Sequence, residues 1–168
     1  MALSELNASD RDAFVAAVGF AFEDSPWIAA QAWESRPFRS VAALHARMVG
    51  IVGAAPRRQQ IALIAAHPDL AGRIAREGRL TAASSAEQAS AGLDRLSAEE
   101  IARFDRLNSA YRSKFSFPFV ICAREHDKAS LLSSLERRGG NDRDAEVATA
   151  LAEIAKIARL RLNDAVRA

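Results

Sequence analysis

Apolar residues recur at intervals of three and four along almost the whole 168-residue chain, and this spacing is the feature that most constrains its fold. Near the N-terminus, Phe14, Val18 and Phe22 follow one another at every fourth position. Positions spaced in this way share one face of an α-helix, whereas a half-buried strand requires strict alternation. Alanine is abundant and alternating β-branched residues are almost absent, so the sequence predicts an all-α fold.

Start and stop signals divide this pattern into about eight helices. Two serine-x-x-glutamate capping boxes, Ser84 with Glu87 and Ser97 with Glu100, predict that each pair opens a helix. Asn141 is predicted to cap the last helix, which runs to the end of the chain. The other helices are predicted at about Ser9 to Phe22, from Ser25-Pro26 onward, at Val41 to Val52, at Arg57 to Ala66, at Ala98 to Lys114, and around Leu131, Leu132 and Leu135.

No linker, repeat or low-complexity segment separates these pieces. Pro118 forbids a helix through "FSFPFV", and the aromatic residues there predict a buried, extended connector. A chain of this length with 49% hydrophobic residues can bury one sizeable core. We therefore predict that residues 1–168 form a single-domain compact helical bundle.

Composition excludes several classes of partner. The 23 basic and 21 acidic residues are mixed along the chain, which argues against a nucleic-acid surface. The longest apolar run, "FVAAVGFAF", is far shorter than the ~20 residues that span a bilayer, and no targeting signal precedes it. The single cysteine, Cys122, excludes an intramolecular disulfide and fits a reducing compartment. We expect a soluble, cytoplasmic protein.

The last predicted helix carries an arginine on its apolar face. At about 100° per residue, Arg161 lies only about 20° from Ile154, whereas Arg159 lies about 140° away. Arg161 is therefore predicted to point inward and Arg159 to be a surface charge. An inward arginine can pass its stem along the core, form a structural ion pair, or bind an anion such as a substrate carboxylate.

His67 ends an apolar run in "IALIAAHPDLAG", and the residues alone leave its role open. The imidazole can interact with a helix C-terminus, satisfy local carbonyls, lie at the edge of the core, or transfer protons. Asp69 is most simply an N-cap for the following "LAGRIA". Glu87 is equally well explained by the capping box with Ser84.

Residues with metal-binding or cofactor-binding patterns are missing from the sequence. His45 and His126 have no ligand spacing with His67, and neither HExxH nor CxxC occurs. There is no glycine-rich phosphate loop and no GxSxG turn. We therefore expect neither a metal nor a cofactor, so an enzyme of this sequence would act through acid and base residues.

Six stretches together resemble one enzyme family. They are "FEDSPW", "RPF", "LIAAHPDLAG", "SSAEQASAGLDRLS", "FDRLNSAYRSKFSFPFVICAR" and "EIAKIARLRL", in this order over nearly the entire chain. The resemblance is to the 2-oxo-4-hydroxy-4-carboxy-5-ureidoimidazoline (OHCU) decarboxylases, which form (S)-allantoin in the last step of urate oxidation. It implies an all-helical, cofactor-independent homodimer acting beside urate oxidase and 5-hydroxyisourate hydrolase.

The resemblance also implies roles for residues. His67 matches the catalytic histidine, Glu87 its partner carboxylate and Arg161 the substrate-binding arginine. The segments that match the lining of the substrate pocket comprise Pro68, Ser84, Ser85, Ala86, Glu87, Gln88, Phe119, Val120, Ile121, Cys122 and Ala123.

One departure and two alternatives accompany this assignment. Ser116 stands where the family commonly has glycine, so a positive φ there would strain the backbone. A relative with another ureido or imidazoline substrate would keep the same motifs. A non-catalytic helical interaction module would explain Glu87 by capping and His67 by the helix dipole, but not an inward Arg161.

Overall fold

The protein is described by a computed structural model that covers residues 1–72 and 77–168. Within these ranges the chain forms α-helices and no strand, apart from one isolated bridge, so the all-α prediction is confirmed. No helix of the described residues is both long enough and apolar enough to cross a membrane. The nine α-helices of these ranges are α1 Leu3–Ala8, α2 Arg11–Val18, α3 Pro26–Trp33, α4 Val41–Ala54, α5 Arg57–Ala65, α6 Ala82–Ser90, α7 Ala98–Phe115, α8 Lys128–Arg138 and α9 Arg143–Ala165.

Inter-residue contacts divide the chain into two units. The first unit comprises Met1–Ala66 and Ile154–Ala168, and the second comprises His67–Glu153. Helices α1 to α5 and the end of α9 belong to the first unit, whereas α6 to α8 and the start of α9 belong to the second.

The first unit is built on the apolar stripe read from the sequence. Phe14, Val18 and Phe22 are all buried, and α2 packs on α3, which packs on α4. Burying each such large side chain contributes about 1.5–3 kcal/mol. The two chain ends meet here, since the Leu3 N–H donates to the Arg167 carbonyl at 2.8 Å.

The second unit has an aromatic cluster at its centre. The centroid of the Tyr111 ring lies 4.5 Å from that of the Phe115 ring and 5.4 Å from that of the Phe119 ring. Residues 118–122 are neither helix nor strand, as Pro118 predicted, and the following 3₁₀ turn Ala123–Glu125 packs against α6. The helix that carries "SSAEQ" therefore packs against the turn in which the "FVICA" stretch ends.

One predicted capping box is wrong and the other is confirmed. Helix α6 begins at Ala82, and its N-cap is Thr81, whose hydroxyl accepts from the Ser84 N–H at 3.2 Å. Threonine is also a favourable N-cap residue, and two alanines extend the helix upstream of Ser84. The Ser97 box forms as predicted and opens α7.

Two other helix starts also differ from prediction. Asp142, not Asn141, caps α9, because its carboxylate accepts from the Ala145 N–H at 2.8 Å. Asn141 instead donates to Glu146. Helix α2 is capped by Asp10 and ends at Val18, beyond which the chain tightens into a 3₁₀ turn.

Candidate active site

His67 lies immediately beyond the end of α5. The helix ends at Ala65, and Pro68 prevents its continuation because proline lacks an N–H and disfavours helical geometry in the residue before it. His67 is only 6% exposed, and its Nε2 atom is buried. The predicted helix stop at this histidine is confirmed.

The HPDLAG turn, residues His67–Gly72, contains strained backbone. Ala71 has a φ of +51°, in the left-handed region, where a residue with a side chain costs about 1–2 kcal/mol. Gly72 approaches Asp69 so closely that a Cβ there would lie 2.8 Å from the Asp69 Cβ. The helix predicted to start at Asp69 extends into residues outside the described part of the chain.

Gln88 binds this turn with both ends of its side-chain amide. Its Oε1 accepts from the Ala71 N–H at 2.9 Å, and its Nε2 donates to the Asp69 carbonyl at 3.3 Å. The amide thereby spans Leu70 and binds the N–H of the strained residue, Ala71. Gln88, predicted to line the substrate pocket, thus contacts the turn that follows His67.

Two residues of α7, one helical turn apart, bind the same turn. The Asn108 side-chain Nδ2 donates to the Leu70 carbonyl at 2.9 Å. The Nε of Arg112 donates to both carboxylate oxygens of Asp69 at 3.1 Å. Side chains therefore hold the backbone or carboxylate of three successive residues.

The remaining residues of "SSAEQ" lie inside α6 rather than at its start. Ser84 is buried, Ser85 and Ala86 are exposed, and Glu87 is partly buried. Since Thr81 provides the cap, capping does not explain the carboxylate of Glu87. The capping explanation that the sequence offered for Glu87 is thereby removed.

One edge of the backbone of the FVICA segment, residues Phe119–Ala123, forms hydrogen bonds to side chains of neighbouring helices. The Val120 carbonyl accepts from Nη1 of Arg138 at 2.8 Å, and the Cys122 N–H donates to Glu153 at 2.9 Å. In an extended chain, neighbouring residues direct their polar groups to opposite edges. The N–H and C=O of Ile121 therefore face the other edge, and no described residue hydrogen-bonds to them.

A buried carboxylate fixes the arginine that supports this segment. Glu146 is 0% exposed, and it accepts from Nε of Arg138 at 2.7 Å and from the Tyr111 hydroxyl at 2.5 Å. The Arg138 guanidinium also lies 4.4 Å from the centre of the Phe119 ring. Burial, reinforced by the Glu146 carboxylate, raises the pKa of Tyr111 far above its usual value.

Arg161 belongs to the first unit, and its predicted inward orientation is confirmed. It is 4% exposed, and its Nη1 donates to Glu23 Oε2 at 2.8 Å and to the Phe20 carbonyl at 3.1 Å. Arg159 is exposed, as predicted. The ion pair to Glu23 is the structural alternative that the sequence left open for Arg161.

The second unit contains every predicted site residue except Arg161. Gln88 connects α6 to the HPDLAG turn, and the 3₁₀ turn after the FVICA segment packs on α6. Three segments that are distant in sequence thus meet within one unit. Among the described residues, no group of three or more His, Cys, Asp or Glu could hold a metal ion.

Sequence reasoning missed Asn108 and three buried carboxylates that bind candidate or supporting residues. Asn108 lies on the buried face of α7 with Phe104, Tyr111 and Phe115, so the test applied to Arg161 would have identified it. Glu146 and Glu153, two turns apart, are likewise buried on α9. Glu23 lies outside any helix, and periodicity gives no signal for it.

Comparisons with known proteins place these residues in a family context. The sequence profile of the OHCU decarboxylases matches residues 7–163. The 2-oxo-4-hydroxy-4-carboxy-5-ureidoimidazoline decarboxylase of Haloferax volcanii is 43% identical over 162 residues, covering 96% of this chain and 94% of that protein. The uric acid degradation bifunctional protein of Bacillus subtilis is 37% identical over 98% of this chain, which spans 32% of that protein.

A solved structure agrees with the sequence matches. The crystal structure of an (S)-allantoin synthase superposes with a TM-score of 0.79 at 25% identity, covering 99% of this chain and 54% of that one. The range matched by the family profile, residues 7–163, includes every candidate site residue. The chain therefore belongs to the OHCU decarboxylase family.

Proposed function

We propose that this chain catalyses the decarboxylation of OHCU to (S)-allantoin without a cofactor. The proposal rests on membership of the family and on the meeting of the HPDLAG turn, α6 and the FVICA segment within the second unit. In it, His67, Glu87 and Arg161 act on the substrate, and residues 84–88 and 119–123 with Pro68 surround it.

The backbone of Ile121 is the observation that carries the proposal. This residue is 6% exposed, yet its N–H and C=O make no hydrogen bond to the described residues. Buried peptide groups almost always have partners, because an unpaired one loses its bonds to water. A donor beside an acceptor is complementary to the N–H and C=O of a ureido group or an imidazoline ring.

The substrate supplies its own electron sink. The bond between the ring carbon and the carboxylate breaks, and its electron pair moves toward the neighbouring C=N bond, whose nitrogen takes up a proton. The hydroxyl proton then leaves as a C=O forms, and a proton is delivered to the ureido-bearing carbon. The net reaction consumes one proton and releases CO2, so no electron-accepting cofactor is required.

The protein must orient the substrate and control the face of protonation. An imidazole, with an unperturbed pKa of about 6.5, can both accept and donate protons near neutral pH. His67 takes this role. Glu87, which is not needed as a cap, either orients the imidazole or binds the substrate directly. Arg161 balances negative charge of the substrate while retaining its bonds to Glu23 and Phe20.

Product chirality provides the decisive test. OHCU is generated in situ from urate with urate oxidase and 5-hydroxyisourate hydrolase, and circular dichroism follows the allantoin band. Uncatalysed decarboxylation gives racemic product, so wild-type protein should produce an (S) signal and His67→Asn should not. A wild-type protein that leaves the product racemic would remove the proposed function.

The competing functions make different predictions in this assay. A non-catalytic interaction module predicts no difference between wild-type protein and His67→Asn. It also has to explain Glu87 without a capping role, because the N-cap of α6 is Thr81. A relative specialised for another ureido substrate predicts an intact site with no OHCU turnover.

We further propose that the protein acts as a homodimer in the cytoplasm, beside urate oxidase and 5-hydroxyisourate hydrolase. The similarity to a bifunctional uric acid degradation protein supports the link to urate breakdown. The single, buried Cys122 is compatible with a reducing compartment. Light scattering coupled to size exclusion tests the dimer, and a monomer at assay concentration would overturn it.

A further inference from the structure

We infer that Asn108 is a positioning residue for His67, acting through the HPDLAG turn. The inference rests on the proposed function and adds to it a residue that does not touch the substrate. It concerns the only side chain of the described residues that binds the carbonyl of Leu70, three positions beyond His67.

The geometry of the turn requires support from outside the turn itself. Within the turn, the Gly72 N–H donates to the Asp69 carbonyl at 3.4 Å, which is long for a hydrogen bond. The adjoining Ala71 has a left-handed φ of +51°. Strained conformations persist only where surrounding groups determine them. Gln88 and Asn108 supply such support. Gln88 binds the Asp69 carbonyl and the Ala71 N–H, and Asn108 binds the Leu70 carbonyl between them.

Asn108 is suited to this task because it is itself fixed. It lies in the interior of the 18-residue helix α7 and is 6% exposed. Its Nδ2 binds Leu70, while its Oδ1 is buried and has no hydrogen-bond partner among the described residues. Replacing the side chain by leucine, which has a similar volume, therefore removes one hydrogen bond and fills the same space.

Arg112 reinforces the turn from the next turn of the same helix. It binds the Asp69 carboxylate, and its side chain is 47% exposed. The same helix offers a matched control in Arg103, which is 46% exposed and binds Glu136 at 2.6 Å but does not contact the turn. Both arginines can be replaced by alanine with little risk to folding, since exposed ion pairs contribute little to stability.

The first test compares Asn108→Leu with Asn7→Leu. Asn7 also joins a loop through its side-chain amide, with bonds to both the N–H and the C=O of Phe38, but that loop lies in the other unit. Displacement of a catalytic group by about 1 Å lowers the rate by up to about 100-fold, and loss of supporting contacts by about 10- to 100-fold. We expect Asn108→Leu to lower kcat by about 10- to 100-fold with little change in KM.

Product chirality separates positioning from general stability. Asn108→Leu should release allantoin of reduced (S) purity, since a displaced proton donor no longer controls one face. Asn7→Leu should lose thermal stability but keep the wild-type kcat and (S) purity. An Asn108→Leu protein that is less stable but has wild-type kcat and chirality would overturn the inference.

The second test stands even if Asn108→Leu fails to fold. Arg112→Ala should lower kcat and (S) purity, whereas Arg103→Ala should leave both at the wild-type level. Equal behaviour of the two arginine variants would overturn the inference. The imidazole NMR signal of His67, assigned by its absence in His67→Asn, should shift in Arg112→Ala and stay in place in Arg103→Ala. That readout needs no turnover, so a failure of the proposed function is distinguishable from a failure of this inference.

Discussion

The Nη1 atom of Arg161 donates to Oε2 of Glu23 at 2.8 Å, and both side chains are almost completely buried, at 4% and 6% exposure. A substrate-binding arginine would thus also be half of a structural ion pair. Removing it leaves a buried carboxylate without this partner, which costs much more than removing both members.

We therefore expect Arg161→Ala to lose about 3–5 kcal/mol of unfolding free energy as well as activity. The double variant Glu23→Gln/Arg161→Ala should regain much of that stability, because no buried carboxylate remains at position 23. Urea denaturation measures the first effect and the allantoin assay the second. If activity returned together with stability in the double variant, Arg161 would have only a structural role.

Glu87 and Thr81 form a matched pair on α6. Thr81→Ala removes the N-cap and should cost about 1 kcal/mol of stability. Glu87→Ala places the best helix-forming residue in a helix interior and should leave the melting temperature unchanged or raise it.

Activity should follow the opposite order. We expect Glu87→Ala to lower kcat by at least about 100-fold, in line with the loss of a group that participates in proton transfer. Thr81→Ala should retain most turnover at temperatures where it is folded. A Glu87→Ala enzyme with normal turnover would remove this carboxylate from the site.

Local sequence signals predicted the helices well because caps and prolines act within a few residues. Ser97 caps α7 as predicted, and helical geometry alone predicts the inward orientation of Arg161 correctly. The error at Ser84 arose because Thr81, three residues earlier, competes for the same role. Which of two nearby cap residues is used depends on the packing of the helix, which local sequence does not encode.

The hydrogen bonds that shape the candidate site join residues far apart in sequence, so local sequence patterns could not predict them. Asn108 meets Leu70 across 38 positions of sequence, and Cys122 meets Glu153 across 31. Periodicity can place an amide or carboxylate on a buried face, but it cannot name the distant carbonyl or N–H that the group will bind. Such partners are set by the packing of helices against one another.

Ser116 carries the backbone strain that its departure from the family pattern predicted. It is the C-cap of α7, with a φ of +63°, and its N–H donates to the Arg112 carbonyl at 2.8 Å. A non-glycine residue in the left-handed region costs about 1–2 kcal/mol of stability. Glycine avoids this strain but loses about 0.5–1 kcal/mol more in conformational entropy on folding.

Ser116→Gly should therefore raise the unfolding free energy by about 0.5–1 kcal/mol. Ser113→Gly, two residues from the end of the helical part of α7, is the control and should lose stability, since glycine is unfavourable within a helix. Chemical denaturation of both variants measures the difference. A loss of stability in Ser116→Gly would mean that the serine side chain outweighs the strain.

Tyr111 gives the fold a defined response to alkaline pH. It is the single tyrosine of the sequence and is 2% exposed, and burial beside the Glu146 carboxylate raises its pKa far above the ordinary value of about 10. The folded state thus keeps the proton where the unfolded state releases it. This contribution to stability is complete below about pH 10 and is lost as the pH rises further, by up to about 1.4 kcal/mol per pH unit.

Absorbance at 295 nm measures this directly because no other tyrosine contributes. The native protein should show no tyrosinate above pH 10 until it unfolds, whereas protein in denaturant should titrate near pH 10. Tyr111→Phe should be less stable at neutral pH, since Glu146 loses a donor, but its stability should fall less steeply above pH 10. Tyrosinate appearing near pH 10 in the folded protein would show that the Tyr111 hydroxyl is not held by Glu146.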